Sequence, residues 1–329
     1  MSEDRKRDHI DLAFESRPIQ QVDLGALFYE PMLGHLNLEE IKFFSFAGGN
    51  LKAPLWVSSM TGGTEKAKRI NQNLARAARE YGFGMGLGSC RPLLDDQRWE
   101  DFQIRKELGP DSPLYSNFGI AQVEQLIAQD KAEKLVEITK RLEANGIIIH
   151  VNPLQEFAQP EGDRYQQRPL DTIKRFIEIT DLPIIVKEVG QGMGPKSLAE
   201  LVKLPLEAIE FGGFGGTNFT MLEQARHKKT NDSYHELLTQ IANIGHTPRE
   251  MIEWINSFDF ELNCKQFIIS GGVTDPIQAL VLNESLQYPS VVGMASQFLK
   301  YSMGEYEELQ VYLEQMLEVY KLGGQLLKG

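Results

Sequence analysis

The sequence predicts an α/β fold, a TIM (β/α)8 barrel with an N-terminal extension, on three observations. From Pro54 onward short apolar runs alternate with amphipathic stretches, the alternation supplies eight strand and helix units, and glycine-rich or polar clusters collect where the apolar runs end. Alternating units specify a parallel sheet, and eight is the number that closes into a barrel. A length of 329 residues allows about two domains or a single such barrel with extensions and does not decide between them; at 42% hydrophobic and 24% charged the chain can bury a substantial core.

Residues 1–52 carry several turn residues and little periodicity, so they are expected to pack as an extension onto a barrel of residues 53–329. Their basic run Arg5-Lys6-Arg7, followed by Asp8 and His9, is by itself the pattern of a solvated tail. Pro54 to Ser59 reads as the first strand and Glu65 to Tyr81 as its helix. Phe83 to Ser89 is the second strand, with a helix from about Asp95 to Leu108. Leu114 to Asn117 is the third, with a helical stretch ending near Ala144. In the fourth strand, Gly146 to Asn152, three isoleucines after Gly146 favour extended backbone. Leu170 to Thr180 is its helix, Pro183 to Val189 the fifth strand, Pro195 to Lys203 a helix, and Glu207 to Phe211 the sixth strand. Residues 227–248 are mixed polar without a clear strand, the composition of a mobile loop that could act as a lid. Phe267 to Ser270 and Val291 to Met294 complete the strands, with helices at Pro276 to Asn283 and Glu305 to Lys321.

A formal net charge of −12 argues against nonspecific nucleic-acid binding, which calls for a basic face, but leaves room for an anionic ligand held by a few local cations. Cys90 and Cys264, the two cysteines, stand in no metal or redox spacing and read as reduced thiols. The charged N-terminus lacks the apolar segment of a secretory signal, and no run approaches the roughly 20 apolar residues of a membrane span. A cytoplasmic protein is expected.

The chemistry concentrates at strand ends, where parallel α/β folds bind ligands. In Gly146-Ile-Ile-Ile-His150-Val-Asn152-Pro-Leu-Gln155-Glu156 an apolar run turns into four polar residues. Period-two alternation puts His150 and Asn152 on one face with Val151 opposite. Pro153 stops the ladder and leaves Gln155 and Glu156 on a loop. The first strand leads into Ser59-Met60-Thr61-Gly62-Gly63-Thr64, where paired glycines admit a ligand to the backbone or simply cap a helix. Ser89-Cys90-Arg91 offers a guanidinium for phosphate, and Asn117 can both donate and accept toward a heterocycle. Lys187 closes an apolar strand and needs an acceptor, while Glu188 beside it faces the other way. Gly215-Gly216-Thr217-Asn218, Ser270-Gly271-Gly272 and Gly293-Met294-Ala295-Ser296 are the glycine-rich ends at which such barrels hold phosphate.

Together these segments resemble the FMN-dependent type 2 isopentenyl diphosphate isomerases over nearly the whole chain. They include Arg5-Lys6 with His9, Gln159-Pro-Glu-Gly162, the His-x-Asn-x-x-Gln-Glu element and Gly215 through Glu223. The resemblance implies that Met60, Thr61, Gly62, Ser89, Asn117, Lys187 and Thr217 line FMN, with Gly271, Gly272, Ala295 and Ser296 around its phosphate. It implies that Arg5, Lys6, His9, Arg91, His150, Asn152 and Gln155 hold an allylic or homoallylic diphosphate and that Glu156 binds Mg²⁺. Gln155, Glu223 and Lys187 are the candidate catalytic residues, NADPH the reductant, and a homo-oligomer, tetramer or octamer, the assembly. The chain departs from the family pattern at Val273-Thr274, where an arginine commonly follows the isoleucine or valine, at Gln297, and at Asn243, where a tryptophan is usual. The alternatives are an FMN-dependent 2-hydroxy-acid oxidoreductase, whose histidine beside paired glycines is absent from Gly215-Gly216-Thr217-Asn218, and a flavin-binding module without chemistry, which would need neither Gln155 nor Glu156.

Overall fold

A computed structural model of the chain describes residues 11–12, 21–38, 41–59, 65–226 and 233–329. Eight parallel strands close into a barrel: β4 (Leu55–Val57), β5 (Gly84–Gly86), β6 (Leu114–Gly119), β7 (Gly146–Val151), β8 (Ile184–Glu188), β9 (Ala208–Glu210), β10 (Phe267–Ser270) and β11 (Ser290–Met294). Consecutive strands are neighbours throughout, and β11 returns to pair with β4. Outside the ring, β1 (Phe28–Tyr29) pairs with β12 (Leu327–Lys328), joining the extension to the far end of the chain. The hairpin of β2 (Phe44–Phe46) and β3 (Gly49–Leu51) plugs the amino end of the barrel. Its Phe46, Ala47 and Leu51 pack with inward-facing Trp56 and Tyr115, and the Tyr115 hydroxyl donates to the Ala47 carbonyl at 3.1 Å.

The surrounding helices begin with α1 (Glu65–Tyr81), α2 (Arg105–Leu108), α3 (Ile120–Ala128) and α4 (Glu133–Arg141). After β7 come α5 (Pro153–Ala158) and α6 (Pro169–Ile177), and after β8 α7 (Pro195–Leu201). Three helices, α8 (Phe219–Arg226), α9 (Ser233–Ala242) and α10 (Pro248–Asn256), lie between β9 and β10. The last are α11 (Pro276–Ser285), α12 (Ser296–Ser302) and α13 (Tyr306–Leu326).

Three local expectations are corrected, at Asp95 to Leu108, in the stretch ending near Ala144, and at Gln155 and Glu156. The helix expected over Asp95 to Leu108 is two 3₁₀ turns and the short α2, because Asp96 and Arg98 take left-handed φ of 54° and 63°. The stretch ending near Ala144 splits into α3 and α4 around Asp130, whose φ is 53°. Gln155 and Glu156 lie on a helix rather than a loop, since Pro153 ends the ladder but suits the first helical position. Within residues 227–248, the described part forms α9, and α10 starts at Pro248 behind a capping box in which Thr247 Oγ1 accepts from the Glu250 amide.

Candidate active site

Alternation sends every second strand residue inward. Nearer the amino end those residues include Trp56, Tyr115, Ile148, Ile185, Ala208, Ile268 and Val291, one buried apolar cluster with the plug. Two residues further along, the inward positions on β4 through β11 are Ser58, Gly86, Asn117, His150, Lys187, Glu210, Ser270 and Gly293. Seven of the eight strands thus change from a packing residue to a polar or side-chain-free one as they approach their carboxyl ends; β5 has glycine at both positions, Gly84 and Gly86. The result is a cavity of about 470 Å³ walled by Ser58, Ser59, Lys187, Glu210 and Ser270 and by the glycine-rich loops. Lys187 is buried and donates one hydrogen bond, to the Glu188 carbonyl at 3.1 Å. The Ser58 and Ser59 hydroxyls are buried with no hydrogen-bond partner among the described residues.

Glycine is required on this wall by close approach. Gly271 has φ of +119°, and a Cβ there would lie 2.2 Å from the Gly213 carbonyl oxygen; at Gly272, with φ of +72°, it would lie 2.7 Å from Gly215. The two loops therefore meet backbone to backbone, which leaves main-chain polar groups as the local chemistry.

Beside the cavity, β7 runs into α5 and builds a polar arc. Asn117 Nδ2 donates to the Leu87 carbonyl at 3.0 Å, which turns its Oδ1 toward His150 Nδ1 at 2.8 Å. In this network Nδ1 carries the imidazole proton and Nε2 keeps its lone pair. Burial, with Lys187 adding to it, pushes the His150 pKa from 6.5 down to about 3, so the ring is neutral near neutrality. Asn152 Nδ2 donates to Gln155 Oε1 at 3.1 Å and to Glu156 Oε1 at 3.0 Å. Glu156 Oε2 accepts from the Asp163 amide at 2.6 Å, and the Asp163 carboxylate takes Arg91 and Gln122, each at 2.7 Å. Asn152, Gln155, Glu156 and Arg91 are thereby joined through Asp163.

Glu223, on α8, is buried; its two oxygens accept from Gln159 Nε2 at 2.7 Å and Arg226 Nη1 at 2.5 Å. The Gln159 backbone N–H donates to the Gln155 backbone carbonyl at 3.0 Å, so this residue ties the end of α5 to α8. On the outward face of β8, Glu188 Oε2 accepts three backbone N–H groups, from Gly190, Gln191 and Gly192, at 2.6, 2.6 and 3.0 Å. Burial nevertheless lifts its carboxyl above the ordinary carboxylate range. A second cavity of about 500 Å³ opens on that outer side, between α6 and α7; its lining includes Val151, Leu154 and Val186 and none of the polar inward residues.

No family model matches the chain. Curated relatives do, two of which illustrate the match. The isopentenyl-diphosphate delta-isomerase of Rickettsia felis is 31% identical over 321 residues, covering 95% of this chain and 90% of that protein. The Rickettsia rickettsii (strain Sheila Smith) protein of the same name is 31% identical over 325 residues, covering 95% and 91%. The chain belongs to the isopentenyl-diphosphate delta-isomerase family. In fold it is similar to a mandelate oxidase variant solved with a monooxide FMN adduct (TM-score 0.57, 13% identity, covering 92% of this chain and 84% of that one). It is also similar to a flavocytochrome b2 variant with sulfite bound (TM-score 0.61, 13% identity, covering 91% and 72%).

In this member of the isomerase family, Lys187, Thr217, Gly271, Gly272, Ala295 and Ser296 all line the inner cavity. Ser89 and Asn117 do not: Ser89 is exposed, and Asn117 is buried with its amide engaged by Leu87 and His150. Arg5, Lys6, His9, Met60, Thr61 and Gly62 lie outside the described residues. Among the described residues no three His, Cys, Asp or Glu side chains form a metal cluster. Among the same residues no helix is long and apolar enough to cross a membrane. Sequence reasoning passed over Ser58, Glu210 and Asp163. Counting by twos from Trp56 and Ala208 reaches the first two, whereas Asp163 is reached only through the fold.

Proposed function

We propose that this chain interconverts isopentenyl diphosphate and dimethylallyl diphosphate with reduced FMN and Mg²⁺, NADPH serving to reduce the flavin. The family assignment supports the reaction. The observation that carries the reading is a register pair: His150 of the polar arc lies opposite Lys187 of the inner cavity on adjoining strands. A cofactor in the cavity and a substrate in the arc would therefore touch.

The cavity fits FMN on this chain's own features. Its volume of about 470 Å³ is in the range of small-molecule sites, its buried Ser58 and Ser59 hydroxyls lack partners among the described residues, and its glycine loops leave backbone exposed to a phosphate. In this reading Lys187 and Thr217, with Met60, Thr61 and Gly62, surround the flavin, and Gly271, Gly272, Ala295 and Ser296 hold its phosphate; Ser89 and Asn117, which do not line the cavity, are left out of that set. Reduced FMN supplies an electron-rich plane and a protonatable nitrogen beside an alkene moving toward a tertiary cation. Lys187 favours negative charge on the ring by placing its ammonium at the cavity wall.

Arg91, His150 and Asn152 hold the diphosphate, with Arg91 exchanging Asp163 for phosphate oxygens in a charge-assisted bond. Residues 1–52 form an extension that adds Arg5, Lys6 and His9, and residues 227–248 close as a mobile loop over the barrel of residues 53–329. Glu156 and diphosphate oxygens together suit Mg²⁺, a hard cation. Asn152 occupies Gln155 Oε1, which leaves the Gln155 NH₂ to orient substrate. Glu223, fixed by Gln159 and Arg226, is the carboxylate that handles a proton. The chain works as a cytoplasmic homo-oligomer, a tetramer or octamer.

Anaerobic incubation of the purified chain with FMN, dithionite or NADPH, Mg²⁺ and isopentenyl diphosphate should yield the dimethylallyl isomer. A chain that stays colourless in excess FMN, or bleaches its flavin on addition of a 2-hydroxy acid, would defeat the reading. Gln155→Ala and Glu223→Gln should both slow turnover with fully reduced flavin; wild-type rates would remove the residue concerned from the proton path.

A further inference from the structure

Glu210 is the one carboxylate among the inward positions of the barrel mouth. It is 1% exposed, it lines the inner cavity, and neither of its oxygens has a hydrogen-bond partner among the described residues. An ionised carboxylate offers about four acceptor sites and no donor, and burial with none of them filled is costly. The donors around it are incompletely used. Lys187, its register partner on β8, gives one hydrogen to a carbonyl and keeps two. Ser270 Oγ accepts from the Gly212 amide and retains its own proton, and Ser58 Oγ has no partner among the described residues. None of these donors has turned to Glu210. The missing partner is therefore a donor that arrives from within the cavity.

Strand order says which part of a ligand that donor belongs to. Lys187 ends β8, Glu210 ends β9, the Gly271-Gly272 cradle follows β10, and Ala295-Ser296 follow β11. A ligand with its ring at the lysine and its phosphate at the glycine cradle must carry its connecting chain past β9. In FMN that chain is a run of alcohols, each able to donate.

We infer that Glu210 is a further binding residue of this site, whose carboxylate accepts hydrogen bonds from the ribityl hydroxyls of FMN. This rests on the flavin reading given above. Glu210 then selects the cofactor by its polyalcohol linker, a property separate from recognition of ring or phosphate, and Lys187 neutralises the charge that Glu210 adds to the cavity.

The test compares two ligands and two proteins by flavin fluorescence quenching. FMN is set against a flavin phosphate whose linker is a plain pentyl chain, and the intact chain against Glu210→Ala. Hydrogen bonds to a charged acceptor lead us to expect that the intact chain binds FMN roughly 10- to 100-fold more tightly than the pentyl analogue. Glu210→Ala should lose FMN affinity by a similar factor and no longer distinguish the two. Equal affinity of the intact chain for both ligands overturns the inference, and that arm stands even if the variant does not fold. A variant that weakens both ligands equally also overturns it, since Glu210 would then act on ring, phosphate or fold. Failure of the intact chain to bind FMN at all strikes the flavin reading instead, which the first titration reveals before any comparison is made.

Discussion

Acidification should destabilise the ligand-free fold through His150, by an amount the geometry sets. The imidazole is placed to donate from Nδ1 to Asn117 and to stay neutral, with its pKa depressed from 6.5 to about 3. A base with a depressed folded pKa contributes stability that is complete above its unfolded value and is lost as pH falls toward the folded one. The window is therefore from about 6.5 down to about 3. Moving from about pH 7.5 to about pH 5 crosses some 1.5 units below the unfolded value, and at about 1.4 kcal/mol per unit the loss is about 2 kcal/mol. The ring is not wholly sequestered at the barrel mouth, so solvent screening brings the expected loss into the range of roughly 1–2 kcal/mol. The measurement is urea denaturation of the ligand-free chain and of His150→Gln at both pH values, reading the difference of differences. The variant removes the titrating group, so its pH-dependent loss should be smaller by that amount. Identical pH dependence in the two proteins would refute the reasoning, because it would mean that His150 titrates alike folded and unfolded.

Gly271→Ala places a Cβ 2.2 Å from the Gly213 carbonyl oxygen at a φ of +119°, so FMN affinity should fall at least about tenfold and stability by roughly 1–3 kcal/mol, checked by flavin titration and urea midpoint. Glu188→Ala strips the acceptor from three backbone N–H groups; at about 1 kcal/mol or more for each, unfolding should become easier by about 3 kcal/mol or more, with Glu188→Gln losing less. Thr274→Arg puts a guanidinium next to the glycine cradle. A charge-assisted bond there should tighten FMN about tenfold, and unchanged affinity would show that the phosphate sits elsewhere.

What could be seen in the sequence was whatever depends on alternation, and what could not was whatever depends on a single backbone angle or a distant partner. Phe267 to Ser270 was bounded as it forms because Ile268 and Ile269 face opposite but equally buried sides. Lys187 and Glu188 were assigned opposite faces for the same reason. The helix expected over Asp95 to Leu108 failed at Asp96 and Arg98, which take left-handed backbone; Asp is a type that tolerates it, whereas Arg98 carries no such marker. Helix α10 did carry a marker: Thr247-Pro248-Arg249-Glu250 is a capping box with proline at the first turn, overlooked because the surrounding composition suggested a loop. At the site, His150, Asn152, Gln155 and Glu156 were legible because they sit within one short segment. The Arg91–Asp163–Glu156 connection was not, since it crosses from one strand end to another through a loop whose course only the barrel fixes.

The same alternation explains why chemistry and stability can share one strand without interfering. Lys187 and Glu188 are neighbours in sequence, yet one faces the inner cavity and the other holds the 190–192 turn in place from outside. A slip of one residue in β8 would send the lysine into the apolar layer and the glutamate into the mouth, losing the turn's anchor and reversing the charge at the cavity wall. The pairing His150↔Lys187 and Lys187↔Glu210 prevents that only because Ile148, Ile185 and Ala208, two residues earlier, are locked into the barrel interior by the plug from residues 46–51. The amino end, which touches no ligand, thus sets the register on which every polar position at the carboxyl end depends.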